Sequence, residues 1–392
     1  MNAAVLLWAG VVASAGSGAF VVDADASYGE YVIDGEAAVI DETVSTLREL
    51  VAIKRGLRTE APRATRDVHA KQHGCAVATL TVDADVPQAL RFGVFAAPER
   101  YDAMVRFSTS EPAIDGDDWD TSLKGMAVKV YGVDGDRFVV DGDGEGASQD
   151  FAFNNRPSFP LRDVRDYRDA MVTRLRRYSI GPLADGLFAI THVDRLPGLI
   201  LDQNRIASPL LTTYHSQTPI AVGPTAAKMA FRPCRRRPHQ NTMPTVRPPH
   251  IGRDYLKVAV ASQLAQQPAC YDLMVQARPT ANAERFPIED ASVVWSEVEA
   301  PMVRVAVLEL PRQDVADISA RCDAARFNVW HALKAHRPLG SLNRSRRAVY
   351  DTLATFRLGD ASTTTTTPTS ASTTPAKTTS TPSASASAKT AP

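Results

Sequence analysis

The sequence predicts an α+β chain, an antiparallel β-barrel with packed helices, followed by a disordered tail. Three observations carry that prediction. Two groups of short, β-branched apolar runs are separated by turns. Helical periodicity flanks them at both ends. Beyond Ala361 the composition shifts to Thr, Ser, Ala and Pro.

The first strand group comprises CAVATLTV (75–82), MVRFSTS (104–110), GMAVKVYGV (125–133) and DRFVVDG (136–142). In the third of these, Met126, Val128 and Val130 share one face, with Lys129 and Tyr131 on the other. The second group is AAKMAFRP (226–233), YLKVAVAS (255–262), CYDLMVQAR (270–278) and the long run 293–310. Helices are expected over 40–57, around 161–175, and from Val315 through the segment ending at Gly359. Many short strands with helices at both ends fit a barrel better than a layered sheet. The tail from Ala361 cannot bury enough apolar surface to offset the entropy of ordering. The expected organisation is an N-terminal segment (1–30), one folded domain (31–360) and the tail (361–392).

With 392 residues and 44% hydrophobic content, the chain can bury a large core. A formal net charge of zero gives no whole-molecule attraction to nucleic acid or anionic membrane. GxGxxG and GxxxxGK[ST] are both absent, so no nucleotide fold is expected. The cysteines (Cys75, Cys234, Cys270, Cys322) are scattered without a CxxC or Cys/His zinc spacing, and neither a disulfide framework nor a zinc site is expected. The first twenty residues are apolar and read as a weak candidate signal sequence with an Ala-Ser-Ala cleavage site near residue 15, but no lysine or arginine precedes them and small residues interrupt the run. That argues against stable membrane insertion and favours the cytoplasm over export. The stretch 233–249, with Arg235, Arg236 and Arg237 in succession, reads as a solvated loop.

Several short segments carry chemistry. Near the end of the folded part, Arg346, Tyr350 and Arg357 recur at offsets of four and seven, on nearly one helix face. A guanidinium one turn from a phenol favours its charged form. The segment ATRDVHAKQHGC holds Arg66, His69 and His73 ahead of a strand. Arg106 and Ser108 lie on a strand, and Asn154 and Asn155 follow another and precede Phe159.

In this order these segments resemble the haem catalases. The family has an arginine and a His-Ala-Lys, then Arg-Phe-Ser, Gly-x-Ala-Val-Lys, Asn-Asn with Pro and Phe close behind, and a closing arginine–tyrosine helix. Here they stand as Arg66 with His69-Ala70-Lys71, Arg106-Phe107-Ser108, Gly125-Met126-Ala127-Val128-Lys129, Asn154-Asn155-Arg156-Pro157, and Arg346 with Tyr350 and Arg357. The resemblance covers roughly residues 60 to 359 and looks like a small, divergent bacterial member. It leaves no room for the C-terminal helical domain or flavodoxin-like extension of longer catalases.

The resemblance implies haem b, with Tyr350 as its anionic axial ligand and Arg346 behind it. It implies His69 as the proton-transferring imidazole, Ser108 beside it, and Asn154 as the amide that holds peroxide. Arg66, Arg106 and Arg357 match the cations for the haem propionates, and Phe159 the apolar wall. The implied reaction is breakdown of hydrogen peroxide to water and oxygen through a ferryl intermediate, in a chain that assembles as a homo-oligomer. Departures from the family leave other readings open. His73 replaces a small residue and is either a surface residue at the strand start or part of a rearranged pocket. The segment before Tyr350 lacks the usual aromatics, and Arg156 adds a charge. The alternatives are a haem peroxidase or fatty-acid hydroperoxide isomerase or dehydratase on the same barrel, similar to catalase-like allene oxide synthases, and a non-catalytic haem-binding module.

Overall fold

The computed structural model describes residues 23–56, 66, 69–110, 116–138, 147–195, 205–234 and 241–363. The side chains of 54–56, 195 and 355–363 lie outside that description. Nine strands form one antiparallel sheet: β1 (Lys71–Val82), β2 (Arg100–Thr109), β3 (Lys124–Tyr131), β4 (Ser148–Asn154), β5 (Tyr214–His215), β6 (Ile220–Val222), β7 (Thr225–Pro233), β8 (Ala269–Ala277) and β9 (Val303–Leu310). The order β4-β3-β2-β1-β9-β8-β7 closes through β5, which pairs with both β4 and β7. The result is an eight-stranded barrel, with β6 attached to β7 as a hairpin. Closure removes the free edges that an open sheet would expose.

Period-two alternation fills the barrel. Leu80, Val105, Phe107, Met126, Val128, Val130, Phe153, Phe231, Leu273 and Leu308 belong to one buried cluster. On the opposite face of β3, Lys129 is fully buried and matched to Asp150 at 2.9 Å. An unpaired ammonium in that position would be very costly.

Six α-helices are present among the described residues: α1 (Glu36–Gly56), α2 (Val164–Ile180), α3 (Leu183–Thr191), α4 (Tyr255–Gln266), α5 (Ser319–Ala324) and α6 (Ser341–Thr363). Asp163 caps α2 by accepting from the amides of Arg165 and Asp166. Leu47 and Leu50 of α1, Met171 of α2 and Val349 of α6 pack together, with Tyr167, Tyr350 and Leu353 against them. The start of α6 is locked by Arg344, which is buried and bonded to Glu30, Glu36 and Glu289 at 2.6–2.9 Å.

The antiparallel barrel with flanking helices stands as expected, and three elements are corrected. Residues 255–262 are helix, because Leu256, Val260 and Leu264 repeat every four residues and are fully buried while Val258 is exposed. The run 293–310 is strand only from Val303; before it the backbone is irregular and anchored by buried Trp295. The helical signal from Val315 breaks into α5 and α6, with Pro338 and Gly340 (φ +87°) in between. In the run 136–142, Arg137 forms an isolated bridge to Leu333, and residues 139–142 lie outside the described residues. So do the N-terminal 22 residues, Arg235 to Arg237 and the tail beyond Thr363.

The cysteine reading is also corrected. Cys75 pairs with Cys322 and Cys234 with Cys270, with Cα–Cα separations of 6.4 and 5.6 Å. Partners 247 residues apart leave no local spacing to read.

Candidate active site between the barrel and the helical layer

A cavity of about 230 Å³ lies between one wall of the barrel and helices α1, α2 and α6. The barrel supplies His69, Ser108, Gly125, Phe153 and Asn154, and α6 supplies Arg346, Val349, Tyr350 and Leu353. Arg66, Arg106 and Phe159 also line it. Of the sequence-predicted residues, only Arg357 is not placed, because its side chain lies outside the described residues.

His69 precedes β1 with a left-handed backbone, φ +60°. Such a conformation is strained for a residue with a Cβ. Arg106 holds it, donating from Nη2 to the His69 carbonyl at 2.8 Å and from Nε to Gln72 Oε1 at 3.0 Å. The imidazole Nδ1 lies 3.0 Å from Ser108 Oγ. Gly125 makes room for the ring: a Cβ there would come within 2.4 Å of His69 Cε1. Burial, followed by the charges of Arg106, Arg346, Arg174 and Lys124, pushes the His69 pKa down to about 3. The ring is therefore neutral at physiological pH.

His73 is not a surface residue, nor does it line the cavity. The β1–β2 register slips between Gln72 and Gly74, so His73 is the extra residue of a bulge. A bulge re-aims its side chain. Here the ring is fully buried, with Nε2 2.6 Å from Thr109 Oγ1.

Asn154 ends β4. Its Nδ2 donates to Gln217 Oε1 at 2.8 Å, and Gln217 Nε2 donates to the Ser158 carbonyl at 2.8 Å. This chain of bonds fixes the orientation of both amides, because only Nε2 of Gln217 can donate to a carbonyl. Asn154 Oδ1 is left buried without a partner. The sequence reading missed Gln217, whose own backbone is left-handed (φ +60°). No local motif marks it.

Tyr350 lies on the helical wall near Tyr167, whose phenol is pushed upward in pKa chiefly by burial. Arg346 does not back Tyr350 as expected. Its Nη1 donates to Asn343 Oδ1 (2.8 Å) and Thr218 Oγ1 (3.0 Å), and no hydrogen bond joins it to Tyr350 among the described residues. Asn343 sits one turn earlier and draws the guanidinium toward the helix start. Arg66 donates to the carbonyls of Cys322 and Ala325 at 3.1 and 2.8 Å. Arg156 is buried and does not line the cavity. At the far end, Asp150 and His331 join Lys129 in a buried cluster, with 3.0 Å between His331 Nδ1 and Asp150 Oδ2.

Solved structures share this architecture. A fungal catalase superposes with a TM-score of 0.61 at 18% identity, over 80% of this chain and 62% of its own. A bacterial catalase gives 0.61 at 17% identity, over 81% and 61%. The fold is that of the catalases, at low sequence identity. Catalase A from Saccharomyces cerevisiae gives 0.60 at 16% identity, over 86% and 68%. The chain thus spans about three-fifths of the length of the fungal and bacterial proteins. No family model and no curated protein sequence matches it. No helix among the described residues is long and apolar enough to cross a membrane.

Proposed function

We propose that the chain is a haem-dependent enzyme that breaks down hydrogen peroxide to water and oxygen. One observation carries this reading. In a catalase-like fold, the neutral imidazole of His69 and the side chain of Asn154, whose carboxamide oxygen has no partner, line the same cavity as a phenol carried by the helical layer.

The residues fit haem b. The slot is faced with apolar side chains such as Phe153, Phe159, Val349 and Leu353, and Arg66, Arg106 and Arg346 stand at it as cations for carboxylates. Tyr350 would supply the phenolate that holds the iron, and Arg357 keeps the propionate role the resemblance implies. When bound, haem supplies the iron at which the peroxide O–O bond is cleaved.

The chain's own part is proton handling and orientation. With Nδ1 engaged by Ser108, His69 Nε2 takes the proton from one peroxide oxygen and returns it to the other. Asn154 Oδ1 accepts a hydrogen bond from the remaining O–H and sets the direction of the substrate. Two peroxides give two waters and one oxygen, the first reduced by two electrons and the second oxidised by two. The apolar lining also supports a second reading, reduction or rearrangement of organic or fatty-acid hydroperoxides. Oxygen release from haem-loaded protein given hydrogen peroxide tests the first reading. A haem-loaded protein that releases none, yet consumes a fatty-acid hydroperoxide, moves the assignment to the second. Protein that takes up no haem overturns both.

The two disulfides support an oxidising compartment over the cytoplasm expected from the sequence. Thiol titration of protein taken from its native compartment tests this: four free thiols would restore the cytoplasmic reading.

A further inference from the structure

Large exposed apolar side chains are not spread evenly over the molecule. Tyr178, Ile180, Leu183, Leu187, Ile190 and Val193 fall within the end of α2, α3 and the turn that follows. Leu183 is 61% exposed, Ile190 77% and Val193 67%. Leu183, Leu187 and Ile190 follow at offsets of four and seven, which makes them one stripe along α3. The inward side of α3 is already used, through buried Ala184 and the Phe188 ring stacked on His192 at 4.1 Å. The outward stripe is covered by nothing in the described residues.

The hairpin also carries cations that no acid pairs among the described residues. On this helical hairpin Asp163 caps α2 and the other acidic groups are matched: Asp185 by Arg177 (2.6 Å), Asp169 by Arg168 (2.6 Å), Asp166 by Arg162 (2.8 Å), with Asp194 3.7 Å from Arg162. Arg174 and Arg176 are exposed and make no ion pair among the described residues. Arg174 and Arg176 of α2, the helix packed on α3, therefore add unpaired positive charge to the hairpin that carries the aliphatic stripe, the combination found in a helix that lies in a membrane interface. A two-fold dimer centred on this face would bring the same arginines of two copies together, which like-charge repulsion opposes. Anionic headgroups neutralise them instead.

We propose that α3 and the end of α2 dock the protein peripherally on an anionic lipid bilayer, with the Leu183–Leu187–Ile190 stripe immersed at the headgroup boundary. The inference does not depend on haem or on peroxide chemistry. Arg174 is also close enough to the cavity for its charge to act on His69 and Tyr167, so the docked face and the cavity are neighbours.

The test is co-sedimentation of the full chain with vesicles of phosphatidylcholine alone and of phosphatidylcholine mixed with phosphatidylglycerol. Binding to the mixed vesicles only, weakened by salt, is the expected result. Leu187→Glu and Ile190→Glu should each lower that affinity about tenfold or more. Arg176→Gln should lower it roughly fivefold and flatten the salt dependence. All three positions are exposed, so unchanged melting temperatures check that the variants fold. The proposal is overturned if the wild type ignores the mixed vesicles or binds both kinds equally. It is also overturned if the glutamate variants bind as the wild type does, since another segment would then be responsible. A solution dimer that Ile190→Glu splits would assign the face to a second copy and overturn it too.

Discussion

The guanidinium of Arg106 donates from Nη2 to the carbonyl of His69 at 2.8 Å and so fixes a residue whose φ is +60°. The bond is to the backbone, so Arg106 sets where the imidazole starts as well as contributing charge. Arg106→Ala should destabilise the fold by about 1–3 kcal/mol, the range for strained backbone released from its support. His69→Gly removes the strain, because glycine accepts positive φ freely. In that background the same Arg106→Ala change should cost measurably less, as a double-mutant cycle by urea unfolding would show. Equal costs in both backgrounds would mean that the bond does not restrain the backbone.

Gln217 orients Asn154 without lining the cavity itself. Gln217→Leu should free the Asn154 amide to rotate, leaving haem content near wild type while raising KM for peroxide more than it lowers kcat. Gln217→Glu restores the acceptor for Asn154 Nδ2 but loses the donor to Ser158, so partial rescue is expected. If neither substitution shifts KM, Asn154 is oriented by something else.

Tyr350→Phe should abolish tight haem retention while the barrel keeps its circular dichroism. An unaltered Soret band in that variant would remove Tyr350 as the ligand.

The Cys75–Cys322 bridge joins β1 to α5, next to the loop whose Phe327 and Asn328 line the cavity. Cys322→Ala should lower stability by roughly 2–4 kcal/mol, chiefly by releasing the unfolded chain. Because Arg66 bonds the carbonyls of Cys322 and Ala325, the same change should loosen the Arg66 end of the cavity and speed haem loss. Haem dissociation rates compared with and without reductant would check this.

Four histidines carry pKa values lowered chiefly by burial: His69 to about 3, His215 and His336 to about 4, and His73 well below the ordinary imidazole range. His336 is held neutral by geometry too, its Nε2 accepting from the Val94 amide at 3.0 Å. Each takes up a proton in the unfolded chain near pH 6.5 before it does so in the folded one. Stability is therefore full above about pH 6.5 and falls as the pH drops toward 4. For fully buried His336 the loss is on the order of 3 kcal/mol once the pH lies below both values. Urea midpoints should drop from pH 7 to pH 4.5, and a midpoint that rose would contradict the assignment. Turnover should stay insensitive to His69 protonation across the same range.

How much could be read in advance depends on the distance over which each signal acts. The barrel strands were legible because alternation such as Met126, Val128, Val130 is local. The residues lining the cavity were legible through the resemblance, carried by short motifs in order. α4 was misread because Leu256, Val258 and Val260 alternate like a strand, and Leu264, which completes the helical stripe, fell outside the run considered. The disulfide partners, the Gln217–Asn154 bond and the grip of Arg346 on Thr218 join residues 36 to 247 positions apart. Only the closed barrel brings them together.

That barrel is shut at one point by very little. β4 meets β5 through the single pair Asn154 and His215. The seam and the cavity therefore share a residue. A molecule that orders the Asn154 carboxamide also fastens the zipper's last tooth. Ligand occupancy should accordingly be visible far from any chromophore, as slower amide hydrogen exchange along β4 and β5.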